Sequence, residues 1–128
     1  MRNNDGPEDL VSRTRRFAVQ VVRFYVALPE ANVFFVLGRQ VLRSGTSVGA
    51  HYREACRAKS KADFISKIEG ALQELDETSY WLELLQEAGL RSGKEVDTLT
   101  AEANELISIF VRIVKKVKFP APNPASGS

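Results

Sequence analysis

Gln40-Val41-Leu42-Arg43-Ser44-Gly45-Thr46-Ser47-Val48-Gly49-Ala50-His51-Tyr52-Arg53-Glu54-Ala55 decides the fold, because it sorts three kinds of residue onto three faces of one helix. A helix turns ~100° per residue, so Leu37, Val41, Val48 and Ala55 share a narrow apolar sector. Arg39, Arg43, Arg53 and Arg57 fall within roughly 40° of one direction, about opposite that stripe, and form a basic ridge. Gly38, Gly45 and Gly49 line up on a flank between the two. Each glycine inside a helix costs about 1 kcal/mol relative to alanine. Three on one flank predict close approach by a neighbouring helix, of this chain or of another copy.

Outward from that stretch the same patterning continues. Before it, Leu10, Thr14, Phe17, Val21, Phe24 and Leu28 alternate by four and three, the seam of a helix packed in a bundle. Pro7 opens this helix and Pro29, which lacks a backbone donor, stops it; Arg13, Arg16 and Arg23 share its outer face. Asn32 is the expected N-cap of the second helix. After it, Ser60 and Asp63 form a capping-box pattern. Phe64, Ile68, Ala71, Leu75, Thr78, Leu82 and Leu85 then keep the alternation, with Glu69, Gln73, Asp76, Tyr80, Glu83 and Glu87 outside and Gly89 as the left-handed C′ residue. Ser92 and Glu95 repeat the capping pattern for a fourth helix with Val96, Leu99, Ala103, Leu106, Phe110, Ile113 and Val117 inside. The reading is all-α, an antiparallel up-down-up-down bundle over residues 7–118, with helices at about 8–27, 33–57, 61–88 and 93–118. A flexible start, 1–6, and a disordered Pro-rich tail, 119–128, flank it.

At 128 residues, 44% of them hydrophobic, the chain is one domain with a continuous core. No apolar run approaches a membrane span, no secretory h-region follows Met1, and the lone Cys56 excludes an internal disulfide. The expectation is a cytoplasmic protein that does not enter the membrane, with Cys56 a buried spectator thiol. The net charge of +2 is unevenly spread. Residues 1–68 hold 12 Lys and Arg against 6 Asp and Glu, 69–111 hold 2 against 10, and 112–118 add 4 cations. Such separation suits an anionic partner, or docking of one subunit's acidic part on another's basic part.

Chemistry is poorly supplied. A di-iron bundle needs Glu-x-x-His on two helices, and His51 is the single histidine. His51 and Cys56 lie on different helix faces, so they make no zinc site. Ser44 and Ser47 lack an oriented base, although Ser47 and His51, four apart, are within reach of a hydrogen bond. The glycines sit inside a helix without the Lys-Ser/Thr of a phosphate loop. No catalytic residue, metal ligand or cofactor is therefore assigned. His51 reads as a helix-interface residue whose titration would bear on the contact. Glu54, Glu69, Glu74 and Glu77 read as partners of Arg43 or Arg53 across helices rather than as ligand-binding groups, and Trp81 and Tyr80 as core or interface aromatics on an acidic helix.

The segments Gln40–Ser44, Thr46–Ala55, Ser60–Ile65 and Glu74–Leu85 resemble the four-helix-bundle family of proteins encoded in intervening sequences of 23S ribosomal RNA genes. The likeness spans roughly Arg16 to Val117 and departs from the family pattern at His51, where asparagine is usual, and at Ala55, where glycine is frequent. It implies an antiparallel bundle that assembles into a ring-like homopentamer. A distant relative, the accessory variability protein of diversity-generating retroelements, is a basic pentamer that binds a reverse transcriptase and nucleic acid.

Two functional expectations follow. In the first, a non-catalytic homo-oligomer, a pentamer if the resemblance holds, presents Arg39, Arg43, Arg53, Arg57, Lys59 and Lys61, with Arg13, Arg16 and Arg23, to RNA, DNA or a nucleic-acid enzyme. In the second, the chain is a protein-binding adaptor whose ridge is consumed in subunit contacts. Gly38, Gly45, Gly49, Ser47, His51, Glu54, Glu74, Glu77 and Trp81 are the candidate residues of oligomer or close helix contact. A small metallo- or hydrolytic enzyme is a remote third.

Overall fold

The computed structural model describes residues 7–122. The expected flexible start and the tail from residue 123 onward lie outside them. Four helices follow one another: α1 (Pro7–Val26), α2 (Asn32–Cys56), α3 (Lys61–Glu87) and α4 (Lys94–Lys118). They form the antiparallel four-helix bundle that the apolar alternation requires. Contacts are most extensive between α2 and α3, then between α1 and α2 and between α3 and α4, while α1 and α4 meet sparsely.

The seams account for most of the core. Leu10, Phe17, Val21 and Phe24 of α1 meet Val41, Val48 and Ala55 of α2, Ile68, Leu75, Leu82 and Leu85 of α3, and Leu99, Leu106 and Phe110 of α4. Burying each large side chain stabilises the fold by about 1.5–3 kcal/mol. Two seams drift at their ends. Phe64 is only partly buried, and on α4 the buried positions become Ile109 and Val114, with Ile113 and Val117 partly exposed. A 3.6-residue helix rotates away from a strict seven-residue repeat, and this end of α4 has little of α1 beside it to correct the drift.

The glycine flank of α2 is filled by α1 of the same chain. A Cβ on Gly45 would lie 2.7 Å from Val21 Cγ2, one on Gly38 2.7 Å from Leu28 Cδ1, and one on Gly49 3.2 Å from Thr14 Oγ1. These glycines therefore serve intrachain packing, and the notch is already occupied as far as other copies are concerned.

Helix ends correct two details and bear out two others. Ser60 caps α3 as expected, its Oγ accepting from the Asp63 N–H at 3.0 Å. The cap of α2 is Ala31, not Asn32, with no side-chain bond; the Phe35 N–H already donates to the Ala31 carbonyl, so Asn32 is inside the first turn. The cap of α4 is Gly93 rather than Ser92. At φ 111° and ψ −169°, Gly93 adopts backbone angles that side chains disfavour, and Glu95 pairs instead with Arg91 at 3.4 Å. Gly89, at φ 73°, closes α3 as the expected left-handed residue.

Gly45→Ala should lower stability by about 1–3 kcal/mol through overpacking, although alanine is the better helix former. Denaturant unfolding should show a smaller loss when Val21→Ala is already present; a stabilised Gly45→Ala variant would contradict the packing described.

Candidate functional site

The arginine ridge of α2 is physically two different surfaces. Toward the start of α2, Arg39 lies over the Phe35 ring, 5.0 Å from its centroid, and Arg43 pairs with Glu77 of α3 at 3.2 Å. Both cations are thus engaged, and the surface between them is lined by Phe35, Val36 and Leu42. Toward the other end, Arg53, Arg57, Lys59 and Lys61 are exposed and make no ion pair among the described residues.

The antiparallel order brings the C-terminus of α4 to that same end, where Lys118 binds Glu69 of α3 at 3.0 Å. Lys115 and Lys116 are exposed there and also without an ion pair among the described residues. Residues 7–12, 53–69 and 112–119 together hold nine cations against five carboxylates. At the opposite end, residues 23–39 and 83–97 hold four against five. The potential at one end is therefore strongly positive, while the other is nearly balanced.

Arg13 does not join this surface. Its guanidinium donates to both oxygens of Glu102 at 2.8 and 2.9 Å and lies 3.4 Å from Glu105, closing the sparse α1–α4 seam. Those hydrogen bonds raise its already high pKa further; such a paired, largely buried charge is held in place. Arg16 and Arg23 remain exposed on α1.

Between α2 and α3 the candidate contact residues form two clusters. Ser44 and Thr78 share a buried 2.7 Å hydrogen bond, each hydroxyl also reaching its own helix's backbone. The His51 ring fits against Gly70, where a Cβ would lie 3.1 Å from Nδ1. Its Nε2 is 3.6 Å from Glu74, its Nδ1 is 3.9 Å from Glu54, and Glu54 is 3.9 Å from Lys67. Glu74 and Glu54 thus face histidine and lysine rather than Arg53, Glu69 pairs with Lys118, and of the four carboxylates expected to meet Arg43 or Arg53 only Glu77 does so. Ser47 turns away from His51 and donates to the Arg43 carbonyl at 2.7 Å. Trp81 is partly buried, edge-on to Tyr80 at 5.0 Å.

The Ser44–Thr78 bond is the feature that periodicity alone does not reveal. Thr78 stands in the α3 seam, and Ser44, three residues from Val41 and four from Val48, sits at core spacing on α2. Cys56 corrects a second expectation, since it is exposed. Ala55 takes the core position, leaving Cys56 one step round the helix beside the Tyr52 hydroxyl. Tyr52 itself stacks on Phe110 of α4, rings 5.5 Å apart and 8° from parallel. Among the described residues no group of three or more His, Cys, Asp and Glu is arranged to hold a metal, and no helix is long and apolar enough to cross a membrane.

The family model for 23S rRNA-intervening sequence proteins matches residues 8–112. The chain belongs to that family. A crystal structure of a protein of unknown function from the S23 ribosomal protein family of Bacteroides thetaiotaomicron is similar over 86% of this chain and 99% of its own, at 38% identity and a TM-score of 0.78. No curated protein matches. Residues 8–112 of the 23S rRNA-intervening sequence fold include the α2–α3 junction, whereas Lys115, Lys116 and Lys118 lie beyond the matched range.

Burial, then the charge and hydrogen bond of Cys56, pushes the Tyr52 hydroxyl pKa well above the ordinary tyrosine range. Above about pH 10 the unfolded chain ionises while folded Tyr52 stays neutral, so stability falls as pH rises from there. Tyr52→Phe should flatten that fall between about pH 9 and 11 in denaturant midpoints; an unchanged slope would place the titration elsewhere.

Proposed function

We propose that the protein is a non-catalytic, homo-oligomeric scaffold that offers a basic surface to RNA or to a nucleic-acid-processing partner in the cytoplasm. The observation that carries this reading is a group of seven cations without an ion pair among the described residues, Arg53, Arg57, Lys59, Lys61, Arg112, Lys115 and Lys116, gathered at one end of the bundle. A phosphate backbone is a partner that rewards such a concentration of charge through released counterions. The family's name, which ties it to ribosomal RNA, supports an RNA partner.

Assembly into a homo-oligomer, a pentamer by the resemblance, is supported by a second surface. Val26, Phe35 and Val36 are more than half exposed around the α1–α2 turn, beside a cleft of about 570 Å³ lined by Tyr25, Leu28 and Phe34. Contiguous apolar exposure of this kind marks a protein contact. Arg39 and Arg43 border it, which supports the adaptor reading for that half of the ridge alone. A ring of identical subunits would repeat the basic end around its axis.

Changing Arg53, Arg57, Lys59 and Lys61 to glutamine should weaken binding of a labelled RNA at least tenfold at low salt. The variant should also reduce the slope of log affinity against log salt by about 2 to 3, at roughly 0.7 per lost phosphate contact. The same change at Arg39 and Arg43 should leave binding in place. If wild type ignores RNA while light scattering finds that the four-residue variant dissociates, the basic end is an assembly surface and the proposal fails.

A further inference from the structure

Phe119 follows α4 directly and is 77% exposed. Its placement is fixed by the backbone, because its N–H donates to the Lys115 carbonyl at 2.8 Å. Pro120 behind it prevents α4 from continuing. No described residue covers the ring, and nothing in the core alternation needs an aromatic here. An exposed aromatic ring offers a flat face on which a planar partner can stack.

Its neighbours give the chemistry of that partner. Lys115, Lys116 and Lys118 precede it on the last turns of α4, and Lys118 ties this helix end to α3 through Glu69. The cations of the α2–α3 junction, Arg57, Lys59 and Lys61, belong to the same end of the bundle. The other exposed aromatics are differently placed: Phe35 lies beneath Arg39, and Tyr80 stands on the acidic face of α3 between Asp76 and Glu83. Phe119 thus follows directly on the α4 lysines, uncovered by any described residue, at the end of the bundle that also holds the junction cations.

We infer that this end of the bundle binds single-stranded nucleic acid, with Phe119 stacking an unpaired base while the α4 lysines and the junction cations hold the flanking phosphates. An aromatic ring beside a positively charged surface favours single strands over duplexes, since the bases inside a duplex are already stacked on one another. The inference rests on the proposed nucleic-acid reading and narrows it to one substrate class. Lys115, Lys116 and Phe119 lie beyond the residues matched by the family model.

The test uses the full chain with a fluorescein-labelled 20-nucleotide oligouridine and a 20-base-pair RNA duplex, read by anisotropy at two salt concentrations. Single-strand binding should be tighter than duplex binding. Phe119→Ala should weaken it by roughly 5- to 100-fold, the range of one lost base stack, leave duplex binding unchanged, and be rescued by Phe119→Tyr. Because the ring is exposed, the variant should keep the helical signal of the parent. Equal single-strand affinity for Phe119→Ala and wild type, or equal weakening on both probes, overturns the stacking inference while leaving the basic surface standing. Failure of wild type to bind either probe at low salt overturns the nucleic-acid reading itself and the inference with it.

Discussion

The tightest constraint in the molecule is the contact between Val21 and the bare backbone of Gly45. At 2.7 Å from the position a Cβ would occupy, Val21 stands where almost any other residue on α2 would push it away. Gly38 meets Leu28, just past the end of α1, at 2.7 Å by the same measure, and Gly49 makes a milder contact with Thr14 at 3.2 Å, so α1 lies along α2 as a close-fitted pair and not as two helices held apart by side chains. The helix propensity lost at these positions, about 1 kcal/mol each, is offset by dispersion contacts between close-packed atoms. Setting α1 on this flank fixes the rest of the arrangement. The apolar stripe of α2 faces α3 and α4, and the arginines face solvent.

Outward placement alone does not make four arginines one surface. The electrostatic partners on α3 are unevenly spaced, with Glu77 within reach of Arg43 and nothing comparable opposite Arg57. Phe35 engages Arg39, so the half of α2 near the α1–α2 turn combines engaged cations with exposed apolar side chains. The other half meets the junction and the end of α4, where cations accumulate with few carboxylates to match them. Antiparallel topology does the gathering: Lys59 and Lys116 are 57 positions apart in sequence and share an end only because α3 and α4 run out and back. The same topology leaves Phe119 at that end.

The sequence was a good guide wherever periodicity governs and a poorer one where a single side chain chooses between partners. The alternation of four and three located all four helices and nearly all of the core, since burying one apolar face of each helix is the main driving force for folding. Gly89 and Ser60 were legible from local backbone chemistry. Gly93 was not, because Ser92 offers an equally good capping pattern and the choice depends on how the preceding turn leaves α3. The glycine flank was read as a close contact, but sequence spacing cannot say whether the approaching helix is the chain's own. His51 shows the limit most clearly. Its spacing to Glu54 was visible, while Glu74 and Gly70 come from another helix and meet it only after folding. Arg13 likewise looked like part of an outer basic face until α4 supplied Glu102.

Taken together, the tight α1–α2 seam and the helix order divide the surface into an apolar shoulder at one end and a cationic cap at the other. Hydrogen–deuterium exchange of the full chain, with and without a single-stranded oligonucleotide, tests this division most directly. The account predicts added protection confined to peptides covering residues 53–61 and 112–119, with those around Arg39 and Arg43 unchanged. Protection running along the first half of α2 instead, or spread evenly over the four helices, would contradict it.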